Sequence, residues 1–112
     1  MDNIKISIAK DFSKTPGPRH IIEGKFSGEK FRKEIMEALF QKAIDHGVKI
    51  EINLDGTAGY GTSFLEEVFG GLARIHNPEI VKEKFIIISI EEEYLIKDIE
   101  EYIRDANEEK RK

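Results

Sequence analysis

The chain has 112 residues, a formal net charge of -4, 39% hydrophobic and 36% charged side chains, and neither cysteine nor tryptophan. That length supports one modest core, read as a single domain over 1–107 with a frayed charged end at 108–112. The lack of cysteine excludes disulfides, thiolate catalysis and thiolate-held metal, and the longest aliphatic run, Phe85 to Ile88, is far short of a bilayer span.

Met1 to Lys5 shows no basic stretch leading into an apolar one, so the expected location is cytoplasmic. Charge is uneven: residues 1–35 hold eight cations against five acids, and 91–107 hold seven acids against Lys97 and Arg104. The basic half is too sparse to predict a nucleic-acid surface, and ordinary solvated faces account for both.

Ile4, Ile6 and Ile8 alternate with Lys5, Ser7 and Ala9, the period of a strand. Thr15-Pro16-Gly17-Pro18 reads as a loop, because prolines lack the amide donor a ladder needs. A second strand is expected over 20–26, with Ile22, Gly24 and Phe26 on one face, antiparallel to the first. Ser27 is placed to cap a helix with Glu29 in its first turn. Ile35, Met36, Leu39, Phe40 and Ala43 give that helix a buried stripe, while Lys33, Glu34, Glu37 and Gln41 face outward. Gly47 supplies its left-handed stop.

Val48, Ile50, Ile52 and Leu54 alternate again as a strand wet on one side. A glycine-rich loop, Asp55 to Gly61, leads into a second helix from about Thr62 to Ile75, closed by Asn77-Pro78. Phe85 to Ile90 is apolar at nearly every position and predicts a strand buried on both faces. Leu95, Ile99, Tyr102, Ile103 and Ala106 make a last helical stripe. The order β-β-α-β-α-β-α predicts an α/β fold: a four-stranded mixed sheet with helices mainly on one face and right-handed crossovers.

The segment Asp55 to Leu72 concentrates the chemistry. Three glycines between a strand and a helix start expose amides at an electropositive end, a natural place for an anion or a phosphorylated hydroxyl. Gly56 and Gly61 with Thr62-Ser63 superficially fit a phosphate-binding loop, but Thr62 stands where that loop needs lysine. Ser63-Phe64-Leu65-Glu66 also reads as a capping box, worth roughly 1 kcal/mol. A third reading is phosphorylation of Ser63 or Thr62, favoured by the helix dipole and opposed by Glu66 and Glu67. Tyr60 either faces outward for contact or folds its ring onto the sheet end.

Gly70-Gly71 inside the second helix costs about 1 kcal/mol per glycine relative to alanine. Either a neighbouring element approaches closely there or the helix ends near Phe69.

These residues carry a family resemblance. From Asp11-Phe12-Ser13 through Phe26-Ser27-Gly28 and Phe31-Arg32, and above all over Leu54 to Glu67 and Phe69 to Leu72, the chain resembles the bacterial STAS-like family of unknown function. That family is related to the anti-sigma-factor antagonist (STAS) domains. The resemblance implies a small sheet with helices on one side. It also implies a helix-opening motif whose second hydroxyl is phosphorylated by a kinase-type, ATP-binding anti-sigma partner that binds the unmodified form. Thr62-Ser63-Phe64 occupies the Ser-Ser-Gly positions, which makes Ser63 the phosphoacceptor candidate and Thr62 the second. Gly61 stands in place of the preceding aspartate, and Phe64 in place of the glycine.

No nucleophile constellation or metal-ligand spacing accompanies the loop: His20, His46 and His76 are isolated, and Glu91-Glu92-Glu93 suits a helix start. The expectation is therefore a non-enzymatic signalling module that binds a regulatory protein. Its docking loop would comprise Asp55, Gly56, Gly59, Tyr60 and Gly61, with Gly70 and Gly71 serving packing. No cofactor, metal, nucleic acid or membrane is expected, and the oligomeric state is left open. The alternative is a small-anion or nucleotide sensor using the same loop amides.

Overall fold

Isoleucine alternation at the start of the chain does produce a strand, β1 (Ile4–Ser7), and β2 (Ile50–Asn53) and β3 (Phe85–Ile88) lie beside it in the order β1-β2-β3. Both pairings are parallel, with Ile4, Ile50 and Phe85 in register, then Lys5, Glu51 and Ile86. The computed structural model describes residues 2–111, with side chains through Ala106, so the charged end expected at 108–112 falls outside the fully described residues.

Helices form the connections. A single turn, α1 (Ile8–Asp11), follows β1 directly, capped by Ser7, whose hydroxyl accepts from the Lys10 amide. The first long helix, α2, runs over 28–46 and is α-helical at Gly28–Phe31, π-helical at Arg32–Met36 and α-helical again at Glu37–His46. Ser27 caps it by accepting the Lys30 amide, and Gly47 ends it at φ 64. The second, α3, covers 62–75 with its own π turn at Glu66–Gly70. Then come α4 (Pro78–Lys84), opened by the Asn77 side chain, and the final helix α5 (Tyr94–Arg111).

The sheet therefore has three parallel strands, not four in a mixed arrangement. The segment 20–26 forms a 3₁₀ turn at Ile21–Glu23 within a long loop. Ile22 is 93% exposed and Phe26 sits at φ 55, so the alternation there marks no buried face and the backbone leaves the extended region. The periodicity of α1 and α4 was too short to register: each is barely two turns or less.

Helices cover one face of the sheet, as expected. Ile6, Ile50, Ile52 and Phe85 point into the core with Phe31, Phe40, Phe64 and Phe69. The opposite face is bare: Lys5 is exposed, and Ser7, Glu51 and Asn53 are half-buried around a shallow depression of about 390 Å³. β3 is consequently not buried on both faces, since Ile86 is 39% exposed and Ile90, beyond the strand, 75%. Its solid run of isoleucines reflects an edge position beside a bare face, which hydrophobicity alone does not distinguish from an interior one.

Candidate functional site

Parallel strands place all their carboxyl ends at one edge of the sheet, where Asp55–Gly61, the loop after β3 and the start of α3 meet. Asp55 is committed there: its carboxylate accepts the amides of Ile90 (3.0 and 3.1 Å) and Glu91 (3.0 Å). The Gly56 amide returns the contact, donating to the Glu91 carboxylate at 2.7 Å. Glu91 thus latches the loop rather than serving only the dipole of α5. Ala58 donates to the Lys14 carbonyl at 2.8 Å, and Gly59 to the Thr57 hydroxyl. Gly56 (φ 91) and Gly59 (φ 131) take backbone conformations that side-chain-bearing residues rarely adopt.

Tyr60 folds onto the sheet end. Its hydroxyl donates to the Leu54 carbonyl at 2.6 Å, and its ring lies 5.9 Å from that of Phe64. Burial pushes its pKa up to about 12, with Asp55, Glu92 and Glu91 adding to the rise against a lowering contact from Thr57.

The helix start is presented to solvent. Gly61 takes the N-cap position in extended conformation, Thr62 is exposed and Ser63 half-buried. Neither hydroxyl has a hydrogen-bond partner among the described residues. The capping box expected at Ser63–Glu66 does not form, because the helix begins at Thr62 and puts Ser63 inside the first turn. Glu66 instead forms a two-point contact with Arg74 (2.7 and 3.1 Å) and a short one with Arg19.

These contacts belong to an ionic cluster between α2 and α3 that sequence reading missed. Arg32 and Glu67, both 7% exposed, pair at 3.0 Å, and Arg19 reaches Glu67 as well. Arg32 also approaches Glu37, which meets the His76 ring at 2.6 Å. Burial alone would raise the Glu66 carboxyl, but Arg74 and Arg19 outweigh it and hold it below the ordinary range. The Arg19 guanidinium is raised in turn, chiefly by its hydrogen bond to Glu66. The signal was available: Arg32 lies one helical turn before Met36 on the apolar stripe of α2, and Glu67 is flanked by core residues of α3.

The glycine pair takes the close-approach reading, with the helix continuing through it to Ile75. A Cβ on Gly71 would lie 2.9 Å from Arg32 Nε, and one on Gly70 would collide with the Glu66 carboxylate. Gly28 is tighter still in consequence, since a Cβ there would lie 2.6 Å from the Phe64 carbonyl of α3.

Among the described residues, no group of three or more histidine, aspartate or glutamate side chains is arranged to hold a metal ion. No described helix is long and apolar enough to cross a membrane. No curated protein and no solved structure matches the chain. A family model described as a STAS-like domain of unknown function (DUF4325) matches residues 27–95, from the cap of α2 through the glycine loop and the ionic cluster to the start of α5. With that span covering most of the chain, including the glycine loop and all of α3, the protein belongs to this STAS-like family.

Proposed function

We propose that this STAS-like domain is a non-enzymatic regulatory module that docks a protein partner through the exposed start of α3, with Ser63 the site of modification and Thr62 the second. The partner class is an ATP-binding, kinase-type regulator that distinguishes the modified from the unmodified hydroxyl, and the setting is cytoplasmic. The observation that carries the reading is the solvent-facing first turn of α3, where two hydroxyls without internal hydrogen bonds stand at the electropositive helix end. Glu66 and Glu67, the acids that would repel a phosphate, are already paired with Arg19, Arg74 and Arg32. The dipole is then the larger remaining effect, and a dianion at Ser63 is tolerated by the fold while changing any interface formed over it.

The sensor alternative has less support, because the Gly56, Ala58 and Gly59 amides of the loop donate within the protein. Co-purification from the native host with wild-type, Ser63→Ala and Ser63→Glu chains tests the reading. A partner retained by wild type and Ser63→Ala and lost from Ser63→Glu is expected; a partner set indifferent to Ser63 counts against it.

A further inference from the structure

One arginine of the ionic cluster duplicates the work of the others. Glu66 accepts from Arg74 (2.7 and 3.1 Å) as well as from Arg19, and Glu67 from Arg32 (3.0 and 3.3 Å) as well as from Arg19. Each carboxylate therefore keeps a guanidinium if Arg19 leaves, and no buried charge is stranded. Glu66 and Glu67 follow Ser63 by three and four residues, the spacings at which helix side chains are neighbours. Bridging both, Arg19 lies across the face of α3 that carries Ser63. Its main chain is anchored beside the same turn. The Arg19 and Pro18 carbonyls accept the Glu29 and Gly28 amides at 2.9 Å, and Gly28 packs against the Phe64 carbonyl. From that pivot the guanidinium reaches along α3 to Glu66 and Glu67, with the side chain 31% exposed. The other cations nearby are placed differently. The Arg32 side chain is only 9% exposed, and Lys30 lines the depression beside Ile22 and Phe26. Arg74 stands eleven residues beyond Ser63, about 16 Å along the helix axis.

We propose that Arg19 is the receiver of a phosphate on Ser63: on modification its guanidinium leaves Glu66 and Glu67, turns back toward the first turn of α3 and closes on the phosphate. The inference rests on Ser63 as the modified hydroxyl and names what the domain itself does with the added charge. A phosphate brings about two negative charges and three acceptor oxygens, which the planar fork of a guanidinium grips at two points. It also arrives beside two carboxylates, and a cation drawn in between offsets their repulsion. The exchange leaves the backbone where it is. Pro18 and Arg19 stay tied to the start of α2, while Arg74 and Arg32 keep the two acids neutralised. A partner approaching the tip of α3 then meets a phosphate–arginine pair fixed to the domain surface, in place of two unpaired hydroxyls.

Phosphoserine placed at position 63 during translation, by suppression of a stop codon, tests this without any kinase. Phosphorus NMR follows the second ionisation of the phosphate, ordinarily near about pH 6, in three backgrounds: otherwise wild type, Arg19→Gln and Arg19→Lys. With Arg19 present, the phosphate is expected to be half-ionised at a proton concentration at least about threefold higher than in Arg19→Gln. Arg19→Lys recovers part of that difference, because an ammonium restores the charge and not the fork. The unmodified Arg19→Gln chain keeps the circular dichroism of wild type, since both acids retain an arginine. An equal midpoint with and without Arg19 overturns the proposal. So does a midpoint that answers to Lys30→Gln instead, or a phosphorylated chain that no longer folds. Because the phosphate is installed directly, any of these results leaves the partner-docking reading standing, and an absent partner in the co-purification leaves this one standing.

Discussion

Tyr60 ties the glycine loop to the sheet through a single oxygen, and its removal is a measurable event. Tyr60→Phe leaves the Leu54 carbonyl without its 2.6 Å donor and is expected to lower unfolding free energy by about 1 kcal/mol in urea titrations. Its pKa is raised from 10 to about 12, so the folded state holds this proton after the unfolded chain has lost it. That contribution is intact below pH 10 and disappears as pH climbs through about 12. The urea midpoint of wild type should therefore fall more steeply across that window than that of Tyr60→Phe. At Ser63 the expectation runs the other way. With Glu66 and Glu67 held by arginines, Ser63→Glu in the first turn of α3 should raise stability by about 0.5 kcal/mol through the dipole, and by less in high salt. A loss exceeding about 1 kcal/mol would mean that the side chain has no room there. That a helix starts just after the glycine loop was legible in the sequence, because glycines before a helical stripe mark its beginning. The start at Thr62 was legible in the same way, but whether Ser63 caps it was not, since Ser-x-x-Glu fits a cap one residue later equally well.

Between elements, α2 and α3 approach closely at Gly28 and are clasped by Arg32 and Glu67. Gly28→Ala places a methyl 2.6 Å from a backbone carbonyl that no rotamer change can move, so a loss of about 2 kcal/mol or more is expected despite alanine's better helix propensity. Arg32→Ala strands the 7%-exposed Glu67 carboxylate and should cost about 3 kcal/mol by chemical denaturation. The conservative Arg32→Lys restores charge without the two-nitrogen contact to Glu67 and is expected to recover only part of it. Both π turns, Arg32–Met36 and Glu66–Gly70, coincide with this clasp. The long helices, the Gly47 stop and the strands β1 and β2 were readable because each had one clear period, and β3 was readable from its solid apolar run. The segment 20–26 was not, because Ile22 and Phe26 mimic a strand face while one is exposed and the other has a positive φ. Charged residues at core spacing were also passed over, since periodicity counts apolar side chains and an arginine satisfied by a distant glutamate leaves no local mark.

At the scale of the molecule, one continuous set of buried side chains from Ile6 to Ala106 joins all three strands to the long helices. Heat should therefore unfold the protein in a single transition. For 112 residues the expected enthalpy is about 80 kcal/mol near 60 °C, and the calorimetric and van't Hoff values should agree for each folded unit. Two resolved transitions would divide that core. The strand order β1-β2-β3 never reverses direction, so the sheet lacks the crevice that a reversal creates in doubly wound folds, and loops cover the carboxyl ends of its strands. Those loops are not independent. Asp55 and Gly56 hold Ile90 and Glu91, so the turn that opens α3 and the turn that opens α5 share hydrogen bonds. Linkage then works in both directions: a macromolecule that grips the first helix tip more tightly when these bonds are intact must, by the same factor, steady the distant one, and loosening the latter weakens the grip.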